Sequence, residues 1–228
     1  MLPLALSDLA ISFPGLAEPV LAIDRLTLPA GGRLAVTGPS GSGKSTFVNL
    51  VSGLERPDRG AIRWGDADIA TLSESGRDRW RAKTVGLVMQ DFHLFPGLAA
   101  VDNVLLPARL ARAATAEVKA RALTLLSRVG IPRPGQPVET MSRGEMQRVA
   151  VARALLRRPG VIIADEPTAS LDAEAGAEVG RLLLELADQE GATLIVVSHD
   201  ERLTERLGRR IRLAAGRIVA DTAPEASS

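Results

Sequence analysis

Residues 34–53 read LAVTGPSGSGKSTFVNLVSG. Leu34 to Thr37 has the apolar, β-branched character of a strand, and the run from Lys44 to Ser52 reads as a helix ended by Gly53, a residue type that favours helix C-termini. Between them lie Gly38, Pro39, Ser40, Gly41, Ser42, Gly43, Lys44, Ser45 and Thr46. The spacing G-x-x-x-x-G-K-S, after a strand and before a helix, is that of a loop that wraps a phosphate. Glycines at 41 and 43 let backbone N–H groups turn inward with no Cβ in the way, and the helix N-terminus adds partial positive charge. Lys44 supplies a point charge for the outer phosphates, and Ser45 a hydroxyl ligand for Mg2+.

Outward from this unit, short β-branched runs alternate with longer helical patterns, which predicts an α/β fold with a mostly parallel sheet. Residues 4–11, 20–28 and 61–64 predict a smaller antiparallel sheet beside it. From 73 to 137 the pattern is mostly helical apart from a strand at Val85–Met89. Val118, Ala122, Leu125, Leu126 and Val129 form one apolar stripe. An inserted helical subdomain is therefore expected at about residues 90–155, with the three-proline segment 131–137, IPRPGQP, as its return linker. A helix over 143–158, a strand at 161–164, a helix over 173–190, a strand at 193–198 and a hairpin at 211–221 about Gly216 complete a single domain over 1–222. Residues 223–228 are expected to be a disordered tail.

The second chemical signal is VIIADEP, residues 161–167, an apolar strand that ends in two carboxylates. Two acids at the end of a buried strand are costly unless they meet a cation or polarise something. Beside a phosphate loop, Asp165 is suited to support Mg2+ and Glu166 to orient and polarise an attacking water.

Composition narrows the field. The 228 residues are 46% hydrophobic and 24% charged, the balance of a globular chain. With no cysteine and only His93 and His199, disulfide frameworks, thiolate sites and multi-histidine metal centres are excluded. The first basic side chain is Arg25, so a secretory n-region is lacking, and the longest apolar runs have core-strand length. A cytosolic chain that does not itself cross a membrane is expected. A net charge of +1 gives no bulk attraction to nucleic acid. Arg153, Arg157 and Arg158 have the spacing of one helical face and read as solvated.

DEPTASLD (165–172), VSHD (197–200), Gln90 after a strand and SRGEMQRVAVARAL (142–155) together resemble the ATP-binding cassette ATPases over nearly the whole chain. VMQDFHLFPGLAAVDNVLLP (88–107) is most similar to the bacterial subgroup that powers lipoprotein release, macrolide and peptide export, and cell-division permease complexes. The resemblance implies ATP and Mg2+ as ligands. Phe13 would stack on adenine, where the family more often has a tyrosine that this chain lacks; Gln90 would reach Mg2+ and the water; His199 would touch the γ phosphate. His93 has no such role. Ser142, Arg143, Gly144 and Glu145 lie in the signature, here MSRGE, with Arg143 in place of a glycine. Bottom-up, Ser142 and Glu145 form the S-x-x-E capping box, and the same helix start offers an anion site to a partner's ATP. Arg143 either points away or contributes charge.

The family pattern further implies a head-to-tail dimer of two copies, with Asp172 near the crossing point and ATP between the phosphate loop of one copy and the signature of the other. Integral-membrane permease subunits would dock near Phe92 to Pro96, holding the chain on the cytoplasmic face of the cell membrane. A permease-like partner that moves no substrate, as in the cell-division complexes, is an alternative. A soluble cassette ATPase would bring coiled-coil, zinc or basic insertions, and a small-molecule kinase an acceptor lid; neither is present in the sequence.

Overall fold

The computed structural model describes residues 1–223; most of the expected tail lies outside the described residues. In chain order the elements are β1 (Leu4–Ile11), β2 (Leu21–Leu28), β3 (Arg33–Thr37), α1 (Lys44–Val51), β4 (Arg59–Trp64), β5 (Ala67–Asp68), α2 (Glu74–Thr84), β6 (Val85–Val88), α3 (Ala100–Leu110), α4 (Ala116–Arg128), α5 (Arg143–Leu155), β7 (Val161–Asp165), α6 (Ala173–Glu190), β8 (Thr193–Val197), α7 (Glu201–Thr204), β9 (Arg209–Ala214) and β10 (Arg217–Asp221).

Two sheets result, in the strand orders β2-β1-β4-β5 and β10-β9-β3-β8-β7-β6. The first is antiparallel throughout. The second is parallel except for β10, which turns back on β9. That hairpin turns at Ala215 and Gly216, both with positive φ, the backbone that matches strand twist in a two-residue loop. A Cβ on Gly216 would stand 2.4 Å from the Val20 carbonyl oxygen, so the position requires glycine.

The parallel strands read as unbroken apolar runs because both faces are covered. Val161, Ile163, Ile195 and Val197 pack toward α1 and the antiparallel sheet, whereas Ile162, Ala164, Leu194 and Val196 pack toward α3 to α6. Trp64 joins the antiparallel sheet to α1: its buried indole N–H donates to the Val51 carbonyl at 2.8 Å. The helical stripe of α4 buries Ala122, Leu125 and Leu126.

Two expectations change. The helix from 143 stops at Leu155, ahead of Pro159, which disfavours helical geometry in the residue before it, and Arg158 adopts φ 52. The three arginines therefore do not share a solvated face. Arg153 is largely buried and donates to the carbonyls of Phe92, at 2.6 Å, and His93. Burial lowers its pKa. Arg157 donates to the Ala82 carbonyl at 2.8 Å, in the last turn of α2, where carbonyls lack helical partners.

Candidate nucleotide site

Strands β3, β8 and β7 are neighbours and run parallel, so their C-terminal ends bring residues 37–44, 198–199 and 165–166 to one crevice. That is where open α/β sheets bind ligands. Backbone bonds fix the levels: Ser198 N–H donates to Val36 O at 3.2 Å, and Glu166 N–H to Val197 O at 2.8 Å.

The glycines of the loop after β3 are structurally required. Gly38, Gly41 and Gly43 have φ of 147°, 75° and 99°. A Cβ on Gly38 would lie 2.3 Å from the Leu213 carbonyl oxygen, whereas the same probe at Gly41 meets nothing within 4 Å and points into open space. The Ser42 hydroxyl is buried without a hydrogen-bond partner. Lys44 folds back over the loop and donates from Nζ to the carbonyls of Gly38 (2.8 Å) and Pro39 (2.9 Å). Those carbonyls are weak partners for an ammonium, so the charge is available to a phosphate. An open concave loop with an orphaned hydroxyl and a cation held only by carbonyls fits a nucleotide's phosphates.

Asp165 and Glu166 end β7. Burial raises the Asp165 pKa, the charge of Glu166 raises it further, and Lys44 opposes both. A cation at this point would relieve that cost. Among the described residues no cluster of three acidic, histidine or cysteine side chains could hold a metal by itself. The donors present, Ser45 at the start of α1, Asp165, and Gln90 two residues beyond β6, suit Mg2+ only when phosphate oxygens complete the shell. Glu166 has φ 47, an uncommon backbone for a side chain of this kind. His199 Nδ1 lies 2.9 Å from Glu166 Oε2, with the carboxylate shielded and the imidazole open to solvent.

The residues of the MSRGE segment form a second cluster. Ser142 caps α5 by accepting from Glu145 N–H, and the Glu145 carboxylate accepts from Ser142 N–H at 2.8 Å. These bonds lower the Glu145 pKa. Asp172 caps α6 in the same way, accepting from the N–H groups of Glu174 and Ala175. Arg143 donates from Nε to Ser170 O at 2.9 Å, with its guanidinium 5.2 Å from the Phe92 ring centroid. Phe13 stands exposed in the turn after β1. The described geometry thus gathers Lys44, Asp165, Glu166 and His199 at one end of the sheet, and Ser142, Arg143, Gly144 and Asp172 around the starts of α5 and α6.

Two supporting residues, Asn103 and Gln147, are given no role by the sequence motifs, and a third, Arg153, is expected from helical spacing to be solvated. Asn103, fully buried in α3, binds the backbone of Phe95, Leu98 and Ala99 and so shapes the loop beyond Gln90. Gln147 is equally buried and donates to the Pro167 carbonyl at 2.8 Å, directly after Glu166. Arg153 holds the Phe92–His93 backbone. The first two carried a signal, a polar amide inside an apolar helix face.

A groove of about 600 Å³ lies between α2 and β6 on one side and α3 and α5 on the other, bordered by Leu87, Leu110, Arg153 and Arg157. Leu110 is 78% exposed at its rim. Among the described residues no helix is long and apolar enough to cross a membrane.

Known proteins resemble this chain in sequence and in fold. The family profile for ABC transporters matches residues 21–169. The lipoprotein-releasing system ATP-binding protein LolD of Syntrophotalea carbinolica is 41% identical over 204 residues, covering 87% of this chain and 88% of that protein. LolD of Anaeromyxobacter dehalogenans is 43% identical over 205 residues, with 89% and 86% covered. The pyoverdine export ATP-binding/permease protein PvdT of Pseudomonas entomophila is 40% identical over 222 residues, which is 96% of this chain but 34% of PvdT. A dimeric ATP-binding cassette solved in a post-hydrolysis state with ADP and Pi superposes with a TM-score of 0.87 at 32% identity, covering 96% of this chain and 97% of that one. The chain belongs to the ABC transporter family of ATP-binding cassette ATPases.

Proposed function

We propose that this chain is the ATP-hydrolysing subunit of a membrane export or release complex of the LolD type, acting as a head-to-tail dimer on the cytoplasmic face of the cell membrane. The observation that carries the reading is the convergence of Lys44, Asp165, Glu166 and His199 on the open phosphate loop. Residues 38–46 bind the phosphates through backbone N–H groups and Lys44. Phe13 stacks on the adenine. Ser45, Asp165 and Gln90 would hold Mg2+, which would supply positive charge against the phosphate oxygens. Glu166 takes up and polarises the attacking water, and His199 orients the Glu166 carboxylate and reaches toward the γ phosphate.

The dimer follows from the division of the site. At the start of α5, where the capping box of Ser142 and Glu145 fixes the helix end, the Gly144 N–H and the Ser142 hydroxyl proton are offered to the ATP of a second copy, with Asp172 at the crossing point. The likeness to dimeric cassettes supports this arrangement. A single cassette domain spans 1–222, its helical subdomain over about 90–155. Permease helices dock in the groove beside α2, α3 and α5, whose Arg153 holds the Phe92 loop and so links the docking surface to Gln90. LolD relatives support lipoprotein release as the work performed.

The chain has no cysteine, so one introduced at Leu110 is unique. Leu110→Cys carrying a photoactivatable crosslinker, expressed in native membranes, should yield an adduct with an integral-membrane protein, and purified wild-type chain should release phosphate from ATP only with Mg2+. Hydrolysis unaffected by chelation of Mg2+, or an adduct with soluble proteins alone, would overturn the reading.

A further inference from the structure

Arg143 begins α5 where the family signature has a glycine, and its side chain makes two contacts a glycine lacks. Nε donates to Ser170 O at 2.9 Å, and the guanidinium stands 5.2 Å from the centroid of the Phe92 ring, within cation–π range. Ser170 lies in the loop that joins Glu166 to Asp172, and Phe92 lies two residues beyond Gln90. One side chain therefore touches both the loop after Gln90 and the loop after Glu166.

The Phe92 segment is held in an unusual conformation. Phe92 and His93 have φ of 57° and 48°, a region that side chains of this kind rarely adopt. Arg153, near the other end of α5, donates to both carbonyls. The Phe92 ring is buried and faces Arg143. So the loop after Gln90 is gripped twice by α5, at its backbone by Arg153 and at its ring by Arg143. The Glu166–Asp172 loop is likewise attached to α5 by Gln147 at the Pro167 carbonyl and by Arg143 at Ser170. Arg143 bridges the two loops directly.

We propose that Arg143 is a positioning residue for ATP hydrolysis: by bridging Phe92 and Ser170 it makes the Gln90 loop and the Glu166–Asp172 loop move as one body with the start of α5. The phosphate loop, on β3 and α1, has no part in this bridge. Nucleotide affinity should then be insensitive to Arg143 while turnover depends on it. The proposal rests on the roles given above to Gln90 and Glu166.

The test uses the whole purified chain. Phosphate release is measured against Mg2+-ATP concentration, and affinity with a fluorescent ATP analogue, for wild type, Arg143→Gly, Arg143→Lys, Phe92→Leu and the Arg143→Gly/Phe92→Leu double variant. Arg143→Gly should lower kcat about three- to tenfold while the nucleotide Kd stays within about twofold, which also shows that the variant is folded. Arg143→Lys, which keeps a cation over the ring, should regain at least about half of the lost turnover. Phe92→Leu should lower kcat, and the double variant should fall no further than the worse single one, as expected of two groups that act through one contact. The role of Arg143 is overturned if wild type turns over and Arg143→Gly lowers kcat less than threefold or raises it, or if the two losses multiply in the double variant. A wild-type chain without Mg2+-dependent turnover would overturn the function reading itself, and with it this one.

Discussion

His199 Nδ1 and Glu166 Oε2 stand 2.9 Å apart across the ends of the neighbouring strands β8 and β7. The His199 backbone N–H, 3.4 Å from the same oxygen, reinforces the orientation. An imidazolium that donates from Nδ1 to the carboxylate has its Nε2–H left for a phosphate oxygen.

Replacement of His199 by alanine frees the Glu166 carboxylate and removes the phosphate contact proposed for Nε2. Turnover should fall on the order of a hundredfold, the scale of a positioned acid–base group, with ATP affinity within about threefold of wild type. Single-turnover phosphate release beside equilibrium nucleotide binding separates the two. Equal losses in binding and turnover would assign His199 to ground-state binding alone.

Lys44→Ala leaves the loop N–H groups alone against the phosphate oxygens. The lost charge-assisted contact should weaken ATP binding by about 1.5–3 kcal/mol, ten- to hundredfold. Fluorescence titration with an ATP analogue measures it, and an unchanged affinity would remove the phosphate loop from the account.

Asp165 gives a pH-dependent prediction. Burial and Glu166 raise its folded pKa, so the folded chain keeps this proton to higher pH than the unfolded chain does. The stability it contributes is complete below the unfolded value of about 3.9 and is lost as pH rises through the raised folded value. Asp165→Asn removes the buried charge, so without nucleotide its melting temperature should exceed that of wild type at neutral pH, with the difference closing below about pH 4. In the presence of Mg2+ and ATP the variant should gain less than wild type, because ligand stabilisation tracks affinity. Differential scanning fluorimetry across pH checks both; a variant melting below wild type at neutral pH would show that the carboxylate is already compensated.

Asn103→Ala leaves the Phe95 N–H and the carbonyls of Leu98 and Ala99 without their side-chain partner inside the helical subdomain. It should cost about 2–3 kcal/mol in urea-induced unfolding, whereas surface changes on the same helix stay within about 0.5 kcal/mol. A loss below that surface scale would mean that water replaces the amide.

The site's chemistry was more legible in the sequence than its support. Glycine spacing after an apolar run places Lys44, because the backbone turns that a phosphate needs admit few other residues at Gly38 and Gly43. VIIADEP exposes Asp165 and Glu166, since two carboxylates at the end of a run buried on both faces need a reason. The bonds of Asn103, Gln147 and Arg153 join residues 4 to 61 positions apart in sequence, and no local pattern announces such partners. Arg153, Arg157 and Arg158 were misread for a related reason: helical spacing shows which residues share a face, but not whether a neighbouring loop or helix end offers carbonyls to that face. For Arg143 the departure from the signature was visible, whereas its two partners, Phe92 and Ser170, became visible only in the fold.

In the proposed cycle, ATP between two copies drives association and Glu166 ends it by hydrolysis. Glu166→Gln keeps the shape and hydrogen bonding of the side chain but removes the charge that polarises water. Sedimentation velocity of this variant with Mg2+-ATP should show a stable dimer that disperses to monomer without nucleotide, while phosphate release falls at least about a hundredfold. A Glu166→Gln chain that stays monomeric with saturating Mg2+-ATP, or that hydrolyses at the wild-type rate, would contradict the account.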